Sequence, residues 1–216
     1  MTEPVKGKTE AGRQREERAR QRRQRVADAA LALFLERGYA ATTIEAIARA
    51  AAVAPATVYQ AFGTKQAILA RILDTTLAGD AGPAALLERD WVRHAARLPD
   101  PRQRLALIVE HTSRVAARTA PVKEVMRDAA AADPAVRRLL REDDERRHLT
   151  QQALVDVIIG ADALRPGGDR DHAVATFFAL VNSHGYQLMA GHLGWSQADW
   201  QQWLTGVLDR ELFGPR

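Results

Sequence analysis

Apolar residues recur every three or four positions along most of the chain, and no stretch alternates for long enough to predict a β-strand. The pattern therefore predicts an all-α protein. A cluster of glycine and proline at residues 79–83 is the first break wide enough to separate two domains. We predict a disordered basic arm over residues 1–14, an N-terminal helical domain over 15–79, and a C-terminal helical bundle over 80–216.

Residues 42–65 predict two short helices and the start of a third, joined by tight turns. Thr42 and Glu45 have the spacing of a capping box at the start of the first helix. Pro55 suits the first position of the second helix, where its missing N–H leaves nothing unpaired. Val58 and Phe62, four residues apart, turn that helix inward. Two short helices in this order are the layout of a helix-turn-helix reader. The outward face of the second helix carries Thr57, Tyr59 and Gln60.

Several positions at fixed spacing extend this pattern: Thr43, Ile47, Ala48, Val53, Thr57, Val58, Tyr59, Phe62, Gly63, Thr64, Lys65, Ile68 and Leu69. The run resembles the DNA-binding domain of the tetracycline-repressor (TetR) family over about residues 20–72. Ala52 stands where a turn glycine is common, Ala54 where a serine cap is common, and Ala61 where a histidine or tyrosine is common. An alanine at positive φ costs about 1 kcal/mol, and a missing cap costs about the same.

A recognition helix of this kind lies in the major groove with its N-terminal residues against base edges. We expect Ala56, Thr57 and Gln60 there, with Pro55 at the tip of the helix. Thr57 offers a methyl group suited to thymine, and Gln60 can pair with adenine. The alternative for Thr57 is a helix-start residue that contacts no base.

The resemblance also implies phosphate contacts. It assigns them to Tyr59, to Lys65 and to Thr43 at the start of the preceding helix. The N–H groups that begin the helix at Lys65 would assist its ammonium group. The residues alone leave two other interpretations open, Tyr59 as a half-buried packing aromatic and Lys65 as an exposed lysine without a partner.

The net charge of +4 is distributed unevenly along the chain. Residues 1–65 carry 12 basic and 7 acidic side chains, a balance of +5, whereas the remaining 151 residues carry 19 and 20, a balance of −1. A basic module on a nearly neutral body suits a polyanion bound at one end of the chain. Seven arginines lie between Arg13 and Arg25, and we expect Arg22 and Arg25 to contact phosphates. A solvated helix start is the alternative.

The C-terminal domain is predicted to contain helices at about 84–97, 101–120, 121–132, 133–163, 169–193 and 196–212. The last two are apolar on more than one face, and three of the four tryptophans lie in the segment that comprises these helices and their link, a pattern of interface cores. TetR-like proteins commonly dimerise through two C-terminal helices, whereas the residues alone also allow a monomer core. The predicted homodimer interface comprises Phe178, Val181, Met189, Trp200, Trp203, Leu204 and Val207.

The resemblance further implies that the C-terminal domain holds a small-molecule effector. Candidate contacts are apolar or amphipathic residues on separate helices, although each could equally be plain core. They are Trp91, His94, Leu107, His111, Met126, Phe177 and Tyr186. The six histidines lack the spacing of metal ligands, so we predict no metal and no cofactor.

Other classes of protein lack their signatures in this sequence. It has no nucleophile elbow, phosphate-binding loop or cysteine, so we do not expect an enzyme. No apolar run approaches the length of a membrane span, so we expect no membrane partner and a cytoplasmic location. The expected function is a ligand-responsive transcriptional regulator, a repressor in most of the family, that binds a palindromic operator as a dimer. The alternative is an architectural or ligand-independent DNA-binding protein.

Overall fold

The computed structural model describes residues 10–79, 88–160 and 164–215, and within them the chain forms ten α-helices. These residues contain no β-strand, which confirms the all-α prediction. The chain divides into two compact units, a first unit up to Ile72 and a second unit from Leu73. The division falls inside a helix, a few residues before the glycine-rich break at 79–83.

The first unit contains α1 (Glu10–Arg37), α2 (Ile44–Ala50), α3 (Pro55–Phe62) and the start of α4 (Lys65–Ala78). Helix α1 begins earlier than predicted, because residues 10–14 are helical and not disordered, while residues 1–9 lie outside the described residues. Residues 10–25 of α1 include no buried position. The core begins after them and comprises Val26, Ala30, Phe34, Ile47, Val58, Ile68 and Leu69, each almost without exposed surface.

The two adjacent threonines before α2 have different roles. Thr43 caps the helix, since its hydroxyl oxygen accepts the N–H of Ala46 at 3.1 Å. Thr42 is buried, and its hydroxyl donates to the carbonyl oxygen of Gly38 at 2.8 Å. The predicted capping box of Thr42 and Glu45 is therefore wrong, because burial commits the Thr42 hydroxyl to the end of α1.

The turn between α2 and α3 has the two weaknesses that the sequence indicated. Ala52 has a φ of 53° and is the one residue other than glycine with a positive φ in the part of the chain that the structure describes. Ala54 precedes α3 in extended conformation, and its side chain makes no capping hydrogen bond. A glycine at position 52 and a capping side chain at position 54 would therefore make this turn more stable.

The second unit contains α5 (Asp90–Arg97), α6 (Pro101–Ala132), α7 (Pro134–Ile159), α8 (Arg170–Leu180), α9 (Ser183–Leu193) and α10 (Gln197–Phe213). Helix α6 is central, because it packs against α5, α7, α9 and α10. The core between these helices is fully buried around Leu105, Ile108, Val109, Leu154, Val155, Ile158, Phe177, Leu204 and Leu208.

Helix α6 does not end at the proline where the sequence predicted a boundary. It runs through Pro121 as one helix of 32 residues, so the predicted break between 101–120 and 121–132 is wrong. Proline removes one helical hydrogen bond and normally breaks a helix. Ala120 and Val122 on either side are almost completely buried, and packing of the continuous helix outweighs that loss.

The prediction of one helix over residues 169–193 is wrong. The chain is interrupted at Val181 and Asn182 and forms two helices, α8 and α9. Asn182 caps α9, since its side-chain oxygen accepts the N–H of Gly185 at 2.8 Å. The carbonyl groups that the interruption frees are bound from α7. Arg147 Nη1 donates to the Phe178 oxygen at 3.0 Å, and Gln151 Nε2 donates to the Val181 oxygen at 2.7 Å.

Arginines close the ends of most helices in the second unit. The last carbonyl groups of a helix have no partner within the helix, and here a side chain from beyond the helix supplies one. Arg104 binds the end of α7, Arg118 the end of α4, Arg137 the end of α6, Arg147 the end of α8 and Arg165 the end of α10. We call these five residues the capping arginines.

Candidate nucleic-acid interface

Helix α3 presents one face to solvent and the opposite face to the core. Val58 has no exposed surface and anchors the helix from inside. Pro55, Ala56 and Gln60 are exposed, and Tyr59 leaves half of its surface free at 50%. The structure thus brings the predicted reading residues together on one accessible surface. We call this set, with the half-buried Thr57, the α3 face.

A backbone hydrogen bond closes the end of α3, and the start of the helix has no side-chain cap. Gly63, with a φ of 73°, ends the helix and donates its N–H to the Tyr59 oxygen at 2.8 Å. At the start, Pro55 has no N–H and Ala54 offers no side-chain oxygen. No side chain of the cap residue therefore covers the beginning of α3, which is where a recognition helix meets its bases.

Thr43 is exposed at the start of α2 and can reach a phosphate while it caps the helix. Its hydroxyl oxygen already accepts the Ala46 N–H, and the hydroxyl hydrogen can still be donated. The positive end of the α2 dipole also lies there, which favours an anion. The phosphate contact of Thr43 stays a prediction, and the geometry is compatible with it.

Lys65 has a structural role that the sequence did not indicate. Its ammonium group donates to the carbonyl oxygens of Tyr39 at 2.7 Å and Thr42 at 2.9 Å, and it lies 4.1 Å from the centre of the Tyr39 ring. These contacts tie the start of α4 to the loop between α1 and α2. Lys65 is thus neither an exposed nor a partnerless lysine, and its phosphate contact stays a prediction.

The arginines of α1 are exposed along the whole N-terminal half of the helix. Arg22 and Arg25, the two predicted phosphate contacts, are both exposed. Arg15, Arg18 and Arg22 follow one another at helical spacing on a single face. A basic helical face of this kind can contact successive phosphates, which sets register without reading sequence.

The predicted effector contacts differ in how deeply the structure buries them. Met126 and Phe177 have no exposed surface, and both belong to the packed interior of the second unit. Trp91 stacks on His111 at 4.3 Å between ring centres. Burial, and then the charge of Arg114, lowers the pKa of the His111 imidazole. Of the remaining three, Leu107 and Tyr186 pack against the core, and His94 is exposed.

One cavity of about 600 Å³ lies between the start of α6 and one side of α10. Its lining combines the charged side chains of Arg102, Asp209 and Arg210 with small residues such as Ala106 and Gly206. Arg102 is already engaged, since it pairs with Asp209 at 3.4 Å. None of the seven predicted effector contacts lines this cavity.

The predicted dimer residues divide into buried and accessible ones. Val181, Trp200 and Leu204 are buried in the core of the single chain and offer a partner no surface, which corrects their assignment. The accessible members are half-buried: Phe178, Met189, Trp203 and Val207.

Two leucines of α9 that were not predicted as interface residues are also accessible. Leu188 and Leu193 on α9 are 44% and 63% exposed. They were missed because periodicity shows that a helix has an apolar face and not which side of it is covered.

Two further observations concern the described residues alone. No group of three or more His, Cys, Asp or Glu side chains among them could hold a metal ion. None of the helices formed by these residues is both long and apolar enough to cross a membrane.

Comparison with known protein families finds a match over the part of the chain that contains α2 and α3. Residues 26–72 match the family described as bacterial regulatory proteins, tetR family. The match confirms the resemblance seen in the sequence. Among proteins with curated functions, none matches this chain.

Solved structures share the fold over most of the chain. FadR from Bacillus subtilis, crystallised with stearoyl-CoA, is 20% identical with a TM-score of 0.65, over 89% of this chain and 99% of that one. NalD, the secondary repressor of the MexAB-OprM multidrug efflux pump in Pseudomonas aeruginosa, is 21% identical with a TM-score of 0.65, over 91% and 98%. A proposed transcriptional regulator from Saccharomonospora viridis in complex with choline is 21% identical with a TM-score of 0.64, over 88% and 96%. At these identities the likeness shows the fold.

Proposed function

We propose that this TetR-family transcriptional regulator binds an inverted-repeat operator as a homodimer and that a small-molecule effector releases it from DNA. The observation that carries the proposal is the α3 face. Pro55, Thr57 and Gln60 lie on the outer side of a helix whose inner side is anchored by the buried Val58. A face so presented fits the major groove.

Charge supports DNA as the partner. The exposed arginines of α1, including Arg22 and Arg25, stand in the same unit as the α3 face. They would contact phosphates on either side of the groove, together with Thr43, Tyr59 and Lys65. One α3 face has few groups that reach bases, so two copies on one operator would supply the affinity that one lacks.

The homodimer would form through α9 and α10. Phe178, Met189, Trp203 and Val207 are only half-buried in a single chain, and Leu188 and Leu193 of α9 are exposed. Apolar side chains grouped in this way mark an interface.

The variant with both Leu188→Asp and Leu193→Asp should be monomeric in sedimentation and should bind the operator at least about 100-fold more weakly. Leu35→Asp, which charges an exposed leucine of α1, is the matched control and should leave the dimer intact. A surviving dimer in the double variant would place the interface elsewhere.

The second unit would bind the effector. FadR was crystallised with stearoyl-CoA and the Saccharomonospora viridis protein with choline, so proteins of this fold accept ligands of very different chemistry. The proposed repressor role follows the description of NalD. An effector acts only through its different affinity for the bound and free arrangements, on a scale of about 1–3 kcal/mol. We place the protein in the cytoplasm and propose no catalytic activity.

The test begins with duplexes selected by the full-length protein from a random pool. Inverted repeats should emerge, and fluorescence anisotropy should show much weaker binding to a single half-site. Gln60→Ala should relax selectivity at one position of each half-site, whereas the body variant Gln202→Ala, exposed on α10, should not. If no duplex is enriched at low salt, the protein is not a DNA-binding regulator.

The competing function is an architectural or ligand-independent DNA-binding protein. Selection would then yield duplexes without inverted symmetry, and a metabolite library would leave their affinity unchanged. The complete burial of Phe177 in the core is compatible with this alternative.

A further inference from the structure

The break between α8 and α9 lets these two helices pack against different neighbours. Val181 ends α8 with a ψ of 79°, far from the value of about −42° that continues a helix. Asn182 then caps the start of α9. Helix α8 packs against α7 and α10, whereas α9 packs against α6 and α10. The geometry of the break therefore determines where the side chains of α9 lie in the second unit.

Two side chains of α7 bind the backbone at this break. Arg147 Nη1 donates to the Phe178 oxygen at 3.0 Å, and Gln151 Nε2 donates to the Val181 oxygen at 2.7 Å. Gln151 is 4% exposed and the Arg147 side chain is 19% exposed, so water competes little for these acceptors. Asp144 pairs with the guanidinium group at 3.3 Å and orients it. The end of α8 is thus fixed from a neighbouring helix.

The same part of α7 also fixes a residue of the proposed dimer interface. The guanidinium carbon of Arg147 lies 3.8 Å from the centre of the Phe178 ring, and the His148 ring meets its edge at 5.1 Å between centres. The Phe178 side chain is nevertheless only half-buried in the single chain. Its ring is therefore held by α7 while part of its surface stays available to a second copy.

A glycine near the start of α9 sets the approach of this helix to α10. A Cβ atom built on Gly185 would lie 3.0 Å from Cη2 of Trp200, so the glycine permits a close contact. Trp200 is almost completely buried, and its ring packs against those of Tyr186 and Trp203 at 6.2 Å and 5.2 Å between centres. Helix α9 is thus located both by the break before it and by this contact with α10.

We propose that Arg147 and Gln151 are positioning residues for the association of two copies of this chain. By binding the carbonyl groups at the break, they set the direction of α9 and thus the shape of the surface that carries Leu188 and Leu193. Neither residue needs to touch the partner chain in this role. The inference rests on the proposed homodimer and adds what determines its geometry.

The experiment measures the distance between the two copies of α9 in the full-length protein. The chain has no cysteine, so His192→Cys, at an exposed position of α9, accepts a single spin label. Pulsed electron paramagnetic resonance of the dimer should give one narrow distance distribution. Arg147→Met and Gln151→Leu should each broaden it and raise the dissociation constant of the dimer in sedimentation by about tenfold. Arg147→Lys keeps a donor for the Phe178 oxygen and should restore part of both properties.

Another capping arginine separates positioning from stability. Arg137 Nε donates to the Ala130 oxygen at 3.0 Å at the end of α6. Arg137→Met should therefore destabilise the second unit and leave the distance distribution as narrow as in the unaltered protein. Gly185→Ala keeps the backbone N–H that Asn182 caps, but it pushes α9 away from Trp200 and should shift the distribution.

Circular dichroism identifies the variants that fold, and those variants decide the outcome. An unchanged distance and dissociation constant in Arg147→Met and Gln151→Leu, or an equal broadening in Arg137→Met, would overturn the inference. If neither of the first two folds, an unchanged distribution in both Arg147→Lys and Gly185→Ala would overturn it. A monomeric unaltered protein would remove the proposed homodimer and this inference with it. A dimer that selects no duplex would instead overturn the DNA-binding function and leave the inference standing.

Discussion

The two units use arginine in opposite ways. In the first unit, the arginines of α1 are exposed, and residues 10–25 include no buried position. In the second unit, the five capping arginines donate to carbonyl groups at the ends of α4, α6, α7, α8 and α10. A count of charges by sequence therefore overstates the similarity of these residues. The first set is available to a polyanion, whereas the second is largely committed to holding helices in place.

Side-chain oxygens cap most helices of both units. Asp100, Asp133, Asp169, Asn182 and Ser196 cap helices of the second unit, and Thr43 and Thr64 do so in the first unit. Helix α3 is an exception, because it begins after an alanine that cannot cap, directly after the turn with Ala52 at positive φ. The start of the helix that would contact DNA is thus closed less firmly than the starts of its neighbours in the first unit.

The largest effect on stability is expected from a capping arginine. Arg147→Ala removes hydrogen bonds to the Phe178 and Val181 oxygens and the stacking of the guanidinium group on Phe178, at 3.8 Å. The free energy of unfolding of the second unit should fall by about 2–3 kcal/mol, measured by urea denaturation. Arg138→Ala, an exposed arginine of α7, should change it by less than about 0.5 kcal/mol. Equal effects would remove the distinction between capping and surface arginines.

Lys65 is the cation of the first unit that behaves like a capping arginine. Lys65→Met keeps most of the side-chain length and removes both hydrogen bonds to Tyr39 and Thr42. The first unit should lose about 2 kcal/mol of stability. Thermal unfolding followed by circular dichroism would measure this loss. A variant as stable as the original would show that the ammonium group does not secure this corner.

The exposed arginines of α1 should affect binding and leave stability unchanged. The variant with Arg22→Gln and Arg25→Gln should bind the operator about tenfold more weakly, and the slope of log affinity against log salt should become shallower by about 2. Arg138→Gln with Arg141→Gln on α7 is the matched pair in the second unit. The α1 arginines would have no phosphate role if both pairs gave the same slope as the unaltered protein.

The smallest expected effect is a gain of stability in the turn of the first unit. Ala52→Gly relieves the positive φ and should stabilise the unit by about 1 kcal/mol, measured by urea denaturation. The reverse substitution is possible at Gly38, which also has a positive φ. Gly38→Ala should destabilise the unit by a similar amount. A loss of stability in Ala52→Gly would contradict the strain assigned to this turn.

The sequence predicted the elements that depend on local pattern. Pro55 at the first position of α3 and Val58 facing inward both followed from spacing and residue type, and the structure confirms them. Family-level similarity over residues 26–72 was accessible for the same reason, because the reader motif is short and contiguous.

The remainder depended on contacts between distant residues. Thr42 and Thr43 are equivalent by pattern, and burial against α1 is what separates them. The interruption at Asn182 relies on Arg147 and Gln151, which lie about thirty residues earlier. Trp200 and Leu204 were assigned to an interface because an apolar helix face does not state whether its own core or a second chain will cover it.

The capping arginines also determine how the second unit should respond to its surroundings. A guanidinium group keeps its proton at every pH that a cell reaches, unlike a histidine or a carboxylate. Helix ends closed in this way do not open when the medium turns acidic or alkaline. The hydrogen bonds at these five helix ends should therefore survive swings in acidity.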